Sequence, residues 1–341
     1  MIKKITYCFL FLTTWFASAQ IGGQYTYEFL NLVSSPRQAA LGGKVLTNMD
    51  WDVSQALHNP AAINAKMDGK IALNFVNYFA DITYGSVAFA KSFSNKKHLF
   101  AGGITYIDYG EFKGYDQYGI ATEDFTGNEF AFTVGYRYEV PNSDLKVGAN
   151  AKFISSKLAE FSSTGIALDV ALLYDFAAKN SQLTLVASNL GTQLSAYEDT
   201  KENIPFHVDL AYAKKLENLP LKFHIVYENL QQWDVSFSNP ARAKVDLDGT
   251  VTTEEVSTLN NLMRHIIVGA ELFHGKALNV RVGYNFRRGN ELKIEDNRVF
   301  SGITAGFGIK LNRFRVNYAF QKYSAATSVH TFGLNINLYK N

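Results

Sequence analysis

Residue types that could perform chemistry are present in this chain, but they are not spaced for it. The seven histidines are scattered, and no two of them are four residues apart, as a helical metal-binding pair would be. The sequence has no Gly-x-Ser-x-Gly elbow to present a catalytic serine. The single cysteine, Cys8, lies near the N-terminus and leaves no thiol chemistry for the rest of the chain. The sequence therefore predicts neither an enzyme nor a cofactor.

One acidic loop has part of the spacing of a calcium site. Asp246, Asp248 and Glu255 occupy the third, fifth and twelfth places of a calcium loop. The first place, which needs an oxygen ligand, holds Lys244, so a cation replaces a donor. We predict a solvated acidic loop followed by a short helix, with a calcium site as the alternative.

The N-terminal residues have the order of a secretory signal peptide. Lys3 and Lys4 precede an apolar stretch from Ile5 to Phe16, and Ala17-Ser18-Ala19 supplies the small residues before a cleavage site. The apolar stretch is too short to span a bilayer as a helix. We therefore expect residues 1–19 to be a Sec signal peptide and the rest of the chain to be exported.

Composition favours strands over helices for crossing a membrane. Apolar residues make up 47% of the chain and aromatic residues 14%, yet the charged fraction is still 19%. After the N-terminal stretch, no apolar run reaches the roughly 18 residues that a spanning helix needs. The formal net charge of +2 gives no broad basic field, so nucleic acid is not expected as a partner.

From about residue 70 onward, apolar and polar residues alternate, which is the period of a strand with two different faces. In one segment the apolar face is formed by Leu278, Val280, Val282, Tyr284 and Phe286, and the opposite face by Asn279, Arg281, Gly283, Asn285 and Arg287. The same alternation occurs over residues 145–153, 314–321 and 331–338. We expect the inward charges Arg281, Arg287 and Lys310 to hydrogen-bond acidic residues of the wall or of a plug.

The connections between these segments alternate between short and long. Short ones are rich in turn formers, as at Pro141-Asn142-Ser143-Asp144 and His274-Gly275-Lys276. The long ones are Gly110 to Asn128, Gly191 to Ile204, Gln232 to Leu262 and Arg288 to Phe300. Outer-membrane barrels have tight periplasmic turns and long outer loops, whereas a soluble sandwich has no reason for this alternation. The sequence thus predicts an all-β fold, a transmembrane antiparallel β-barrel of about 14 strands.

Residues 20–69 differ in character from the strands that follow. They lack alternation and contain Ala39-Ala40-Leu41-Gly42-Gly43 and Asn59-Pro60-Ala61-Ala62, which favour short helices and turns. Such a segment can fill a barrel lumen as a small plug, and an ordered periplasmic extension is the alternative. The expected organisation is a signal peptide over 1–19, a periplasmic or plug segment over 20–69 and an outer-membrane barrel over 70–341.

Short strings along the chain resemble two related families. Arg37-Gln38-Ala39-Ala40-Leu41-Gly42-Gly43, followed by Asn59-Pro60-Ala61-Ala62, resembles the N-terminal region of barrels related to fatty-acid transporters. More narrowly, Asn77-Tyr78-Phe79-Ala80-Asp81-Ile82, Asn189-Leu190-Gly191 and Gln232-Trp233-Asp234 are similar to the PorQ family of the type IX secretion system. The likeness extends over essentially the whole chain after the signal peptide. The chain departs from the usual terminal aromatic residue of such barrels, because Tyr339 is followed by Lys340 and Asn341.

Each resemblance implies a different function. The PorQ family implies a non-enzymatic outer-membrane protein of Bacteroidota, surrounded by outer-membrane lipid, that anchors a PorZ-like surface protein within a PorU/PorV-like attachment complex. The fatty-acid transporters imply the alternative, a channel for a hydrophobic small molecule. For anchoring, the long loops supply the candidate contact residues Trp233, Asp234, Phe112 and Tyr115. The sequence leaves open whether the lumen is open or plugged.

Overall fold

The computed structural model describes residues 25–93, 98–236, 244–245, 251–252, 256–292, 301–323 and 327–339. The predicted signal peptide and the acidic loop residues Asp246, Asp248 and Glu255 lie outside these ranges. Within the described ranges, no helix is long and apolar enough to cross a membrane.

Fourteen of the described strands form a closed antiparallel barrel. They are β1 (Lys70–Asn77), β2 (Thr83–Phe93), β3 (His98–Phe112), β4 (Phe125–Glu139), β5 (Leu145–Leu158), β6 (Phe161–Phe176), β7 (Ser181–Ser195), β8 (His207–Lys215), β9 (Leu221–Tyr227), β12 (Ile266–Leu272), β13 (Leu278–Asn285), β14 (Ile303–Leu311), β15 (Phe314–Lys322) and β16 (Ser328–Asn337). The barrel closes where β1 pairs with β16. A separate two-stranded sheet consists of β10 (Lys244–Val245) and β11 (Val251–Thr252). The predicted barrel is confirmed.

The two faces of the wall differ as the alternation predicts. On β13, Val282 is 48% exposed on the outside, whereas Arg281 points inward and is fully buried. The outer face is apolar over the whole circumference, as at Phe75, Phe132, Leu168, Ile225 and Phe332. A continuous apolar exterior is unfavourable in water and is satisfied by lipid. The closed ladder leaves no free strand edge in that environment.

The barrel has a short-turn end and a long-loop end. At the short-turn end the described connections span residues 140–144, 177–180, 216–220, 273–277 and 312–313. The four predicted long connections all join strands at the other end, where two described short ones, 78–82 and 159–160, also occur. One predicted strand is too long: β13 ends at Asn285, whose side chain accepts a hydrogen bond from Arg288 N (2.9 Å) and caps a helix over Phe286–Glu291. Phe286 and Arg287 are therefore not part of the wall.

The wall is not uniform in height. Strands β3 to β7 contain 14 to 16 residues. Strands β8, β9 and β12 to β15 contain 7 to 9. We call these the tall wall and the low wall. At ~3.4 Å per residue and a tilt of ~40°, a strand of the tall wall rises ~39 Å, compared with ~25 Å for the apolar band of such barrels.

Residues 25–69 lie inside the barrel and reach from one end to the other. Tyr25 pairs with Asn203 at the long-loop end, and Gly69 N donates to Ala90 O at the short-turn end. The segment contains a helix over Pro36–Ala40 and 3-10 helices over Glu28–Asn31, Val53–Leu57, Pro60–Ala62 and Ala65–Met67. The remaining described helices are Ala177–Lys179, at the short-turn end, and Thr258–Arg264, which follows the acidic loop. The predicted plug-like segment is confirmed.

The plug packs directly on the wall. Near the long-loop end, Phe29 belongs to an apolar cluster with Ile107 and Ile154 of the wall. Near the short-turn end, Ile63 and Met67, both completely buried, belong to another. Gly283 permits a close approach, because a Cβ there would lie 2.3 Å from Gly42 N. The plug therefore fills the lumen by contact rather than hanging within a water-filled channel.

Candidate functional site

The inner wall carries acids that would be costly to bury alone. Asp169, Asp209 and Glu271 are each at most 1% exposed and project inward from β6, β8 and β12. The plug supplies cations for two of them, Lys44 and Arg37. A buried charge needs a partner to offset the loss of hydration, so these pairs fix where the plug sits.

The arginine cluster consists of Arg37, Asp50, Glu271 and Arg281 and lies near the short-turn end. Arg37 Nη1 is 2.6 Å from Asp50 Oδ2, and Arg37 Nη2 is 2.7 Å from Glu271 Oε2. Glu271 Oε1 accepts from Arg281 Nε at 3.1 Å, which confirms the predicted bond between Arg281 and an acid. The guanidinium of the plug helix is thus shared between the plug and strand β12, in the forked geometry that suits carboxylates.

Neighbouring groups support the charge of Arg37. The Trp51 ring contacts two guanidinium groups, because its centre is 5.2 Å from Arg37 Cζ and 4.2 Å from Arg315 Cζ. Burial disfavours the charge of Arg37, but Asp50 and Glu271 outweigh it and raise its pKa. Burial likewise opposes ionisation of Asp50, yet Arg37 holds the pKa of that carboxyl below its ordinary value. Both partners are therefore ionised at neutral pH.

The lysine cluster consists of Lys44, Asp209 and Glu228 and lies nearer the long-loop end. Lys44 Nζ is 2.9 Å from Asp209 Oδ2 and 3.6 Å from Glu228 Oε2. The Lys44 side chain keeps 21% of its surface exposed. Burial opposes its charge, but Asp209 and then Glu228 raise its pKa. This cluster attaches the plug to β8 with one close contact and to the end of β9 with one long contact.

A β-bulge in the tall wall adjoins the lysine cluster. The register of β6 against β7 shifts between Leu168 and Val170, opposite Asn189, whose φ is 59°. Asn189 N donates to Asp169 Oδ1 at 2.9 Å, and its side-chain oxygen accepts from Lys152 Nζ at 2.8 Å. Lys152 also pairs with Asp169 at 2.8 Å. The bulge turns an additional polar residue toward the lumen.

A small cavity lies between the plug and this bulge. Its volume is about 30 Å³, and its polar lining includes Lys44, His58, Lys152, Asn189, His207 and Asp209. Burial, followed by the nearby Lys152 charge, lowers the pKa of His58 to about 4, so His58 is neutral at pH 7. A dry cavity that admits benzene has a volume on the order of 150 Å³ and an apolar lining. This cavity therefore suits one or two water molecules and not a hydrocarbon.

The tall wall ends in an exposed loop that we call the aromatic hairpin, residues 112–125. Tyr115, Tyr118 and Ile120 are 65%, 79% and 64% exposed. The turn is ordered by Asp116, whose Oδ1 accepts from Tyr118 N and Ile120 N, both at 2.9 Å. Gly119 permits this turn because its φ is +78°. The hairpin thus holds three large apolar side chains in water on a fixed backbone.

The four residues predicted to contact a partner lie in two separate places. Phe112 and Tyr115 belong to the aromatic hairpin, where the Phe112 ring stacks on Phe125 with centroids 5.2 Å apart. Trp233 and Asp234 lie beyond β9, on the low wall, six strands away. The Trp233 ring is 54% exposed and stacks on His265 at 5.9 Å. The structure does not bring the two pairs together.

Sequence reasoning did not identify the plug's charged anchors. Arg37 contributed only to a family resemblance, and Lys44, Asp209 and Glu271 were not singled out. The sequence did indicate that such anchors were needed. An acid at an inward position of an otherwise apolar strand, such as Asp209 or Glu271, needs a cation as partner. No group of three or more His, Cys, Asp or Glu side chains capable of holding a metal ion occurs among the described residues.

The fold and the packed lumen define this chain as an outer-membrane-type β-barrel with an internal plug. No protein-family model matches the sequence, and no curated protein matches it. Among solved structures it is similar to the TodX monoaromatic hydrocarbon channel deltaS2 mutant, with 12% identity and a TM-score of 0.53 over 91% of this chain and 98% of that one. A FadL homologue of Pseudomonas aeruginosa gives 10% identity and a TM-score of 0.49 over 90% and 99%. At this identity the TodX likeness establishes the fold and nothing further.

Proposed function

We propose that this chain is a non-enzymatic barrel of the outer membrane that anchors a surface protein at its long-loop end. The partner is a PorZ-like protein within the attachment complex of a type IX secretion system, as the resemblance to the PorQ family implies. In this role the barrel is a fixed support, and the loops outside the membrane make the contacts.

The observation that carries this proposal is the clamped plug. The arginine cluster holds it at one end of the lumen and the lysine cluster nearer the other, with packed apolar contacts between. Breaking buried ion pairs costs about 3–5 kcal/mol, which opposes displacement of the plug during a transport cycle. An anchor requires no such displacement.

A second candidate is a channel for a hydrophobic small molecule. The TodX likeness in fold favours it, because that protein is described as a hydrocarbon channel. On the comparisons alone the channel is better supported than the anchor, since no match connects this chain with secretion. The clamped plug is the reason that we place anchoring first.

The test is an affinity pull-down of the tagged full-length chain from native outer membranes in mild detergent, followed by mass spectrometry. Anchoring predicts recovery of a PorZ-like surface protein in amounts comparable to the barrel. The matched control is an unrelated tagged outer-membrane barrel from the same cells.

A transport assay addresses the second candidate. Cells with and without the chain are compared for uptake of a labelled monoaromatic hydrocarbon and of a long-chain fatty acid. Uptake that depends on the chain, together with recovery of the barrel alone in the pull-down, would replace anchoring by transport.

A further inference from the structure

The tall wall stands above the lipid. On β4 the outward side chains are apolar at Phe132 and Val134 but become polar at Asn128, nearer the long-loop end. On β6 the same change occurs between Ile166 and Ser162. The apolar band therefore ends below the tops of these strands, which agrees with the ~39 Å rise calculated for them. The aromatic hairpin lies beyond this boundary, in water.

The surroundings of the aromatic hairpin are acidic. Glu111, Asp116, Glu123 and Asp124 are opposed by one base, Lys113, which pairs with Asp124 at 2.5 Å. The next long loop of the tall wall, residues 196–206, contains three acids and one lysine. The exposed side chains Tyr115, Tyr118 and Ile120 thus lie in a hairpin whose own charged residues are mostly acidic.

Exposed apolar side chains together with acidic residues restrict which partner can bind the aromatic hairpin. An anionic lipid surface would be repelled by the surrounding carboxylates. A second copy of this chain would present the same acidic hairpin and would also be repelled. A protein with basic residues around an apolar pocket fits both the exposed side chains and the acids of the hairpin. Tyrosines are frequent anchors in protein interfaces, and charges at the rim of an interface steer association.

We propose that the aromatic hairpin is the contact site for a partner protein whose surface presents an apolar pocket flanked by lysines or arginines. The inference rests on the proposed anchoring function and specifies which loop makes the contact. Tyr118 and Ile120 fill the pocket, and Glu123 faces the basic flank. The turn that Asp116 closes is already ordered in the free protein, which lowers the entropy lost on binding.

The first experiment measures binding of a purified PorZ-like surface protein to the full-length chain in lipid nanodiscs. Tyr118→Ala should weaken binding by about 30-fold, the size of one interface anchor. Glu123→Lys should weaken it and flatten its dependence on salt. Leu259→Ala is the matched control, because Leu259 is 69% exposed at the same end of the barrel but belongs to the helix between β9 and β12, away from the aromatic hairpin. This variant should bind within about twofold of the wild type.

The second experiment uses the unmodified chain, so it does not depend on how the variants fold. A carbodiimide couples carboxylates to amines without a spacer, and whole cells are treated with it before mass spectrometry. Cross-links from residues 111–124 to lysines of the PorZ-like protein support the proposal. If the wild type binds that protein but both hairpin variants bind equally well, or the cross-links come from other loops, the hairpin assignment is wrong and anchoring stands. If the wild type does not bind it, anchoring fails and this inference fails with it.

Discussion

The arginine and lysine clusters hold the same plug in different ways. Arg37 is almost completely buried, contacts two carboxylates at 2.6 and 2.7 Å and stacks on Trp51. Lys44 keeps 21% of its side chain exposed, has one contact at 2.9 Å and borders the small cavity. A guanidinium satisfies several partners in a dry site, whereas an ammonium remains better hydrated. The short-turn end is thus the rigid attachment of the plug, and the lysine cluster is its more hydrated attachment.

The largest effect should come from removing the guanidinium. Arg37→Ala leaves Glu271 and Asp50 buried without their main cation, so we expect a loss of about 3–5 kcal/mol in the free energy of unfolding. Urea titration of the barrel in detergent, followed by tryptophan fluorescence, measures the loss. Arg313→Ala is the control, because Arg313 lies exposed in a short turn. An Arg37→Ala barrel as stable as this control would contradict the role assigned to the arginine cluster.

Acid should destabilise the barrel through His58, which lines the cavity beside the lysine cluster. The pKa of His58 is about 4 in the folded chain and 6.5 when unperturbed, so between these values only the unfolded chain takes up the proton. The contribution of neutral His58 to the free energy of unfolding should therefore be fully present above pH 6.5. It should decrease by up to about 3 kcal/mol as the pH falls to 4. Urea midpoints at pH 7 and 4.5 measure this change. His58→Gln should lose less stability over the same interval, and an equal loss would assign the acid sensitivity to other groups.

The smallest effect should come from the lysine cluster itself. In Lys44→Ala, Asp209 still accepts a hydrogen bond from Asn229 N at 3.1 Å, and water has access to the cluster. We expect a loss of about 2 kcal/mol, comparable to one hydrogen bond to a charged group. Hydrogen exchange of plug amides compares this variant with Arg37→Ala. Equal protection in the two variants would mean that the two attachments do not differ.

The barrel was predictable because the alternation that identifies its strands is visible between neighbouring residues of the sequence. The alternation of Leu278 and Val282 with Asn279 and Arg281 gives the faces of β13 from neighbouring residues alone. The prediction was less accurate above the lipid. Residues 110–112 and 125–128 were assigned to a loop, yet β3 continues to Phe112 and β4 begins at Phe125. Their outward positions lie in water, so the alternation that identifies a strand in lipid is absent there.

The candidate site was less predictable because its contacts are distant in sequence. Arg37 and Glu271 are 234 residues apart, and no local pattern indicates which acid a plug cation will meet. Tyr115 was identified as a loop candidate, but Tyr118 and Ile120 were not, because their exposure depends on the turn that Asp116 organises.

The path of the plug has a consequence for the order of assembly. The plug begins at Tyr25, beside Asn203 at the long-loop end, and leads into Lys70, the first residue of the strand that closes against β16. Pulling this segment through a finished ring would carry Arg37 and Lys44 past a wall with little free space. The seam between β1 and β16 must therefore form around a plug that is already inside. Closure of the barrel is also the step after which packing and ion pairs hold the plug in the lumen.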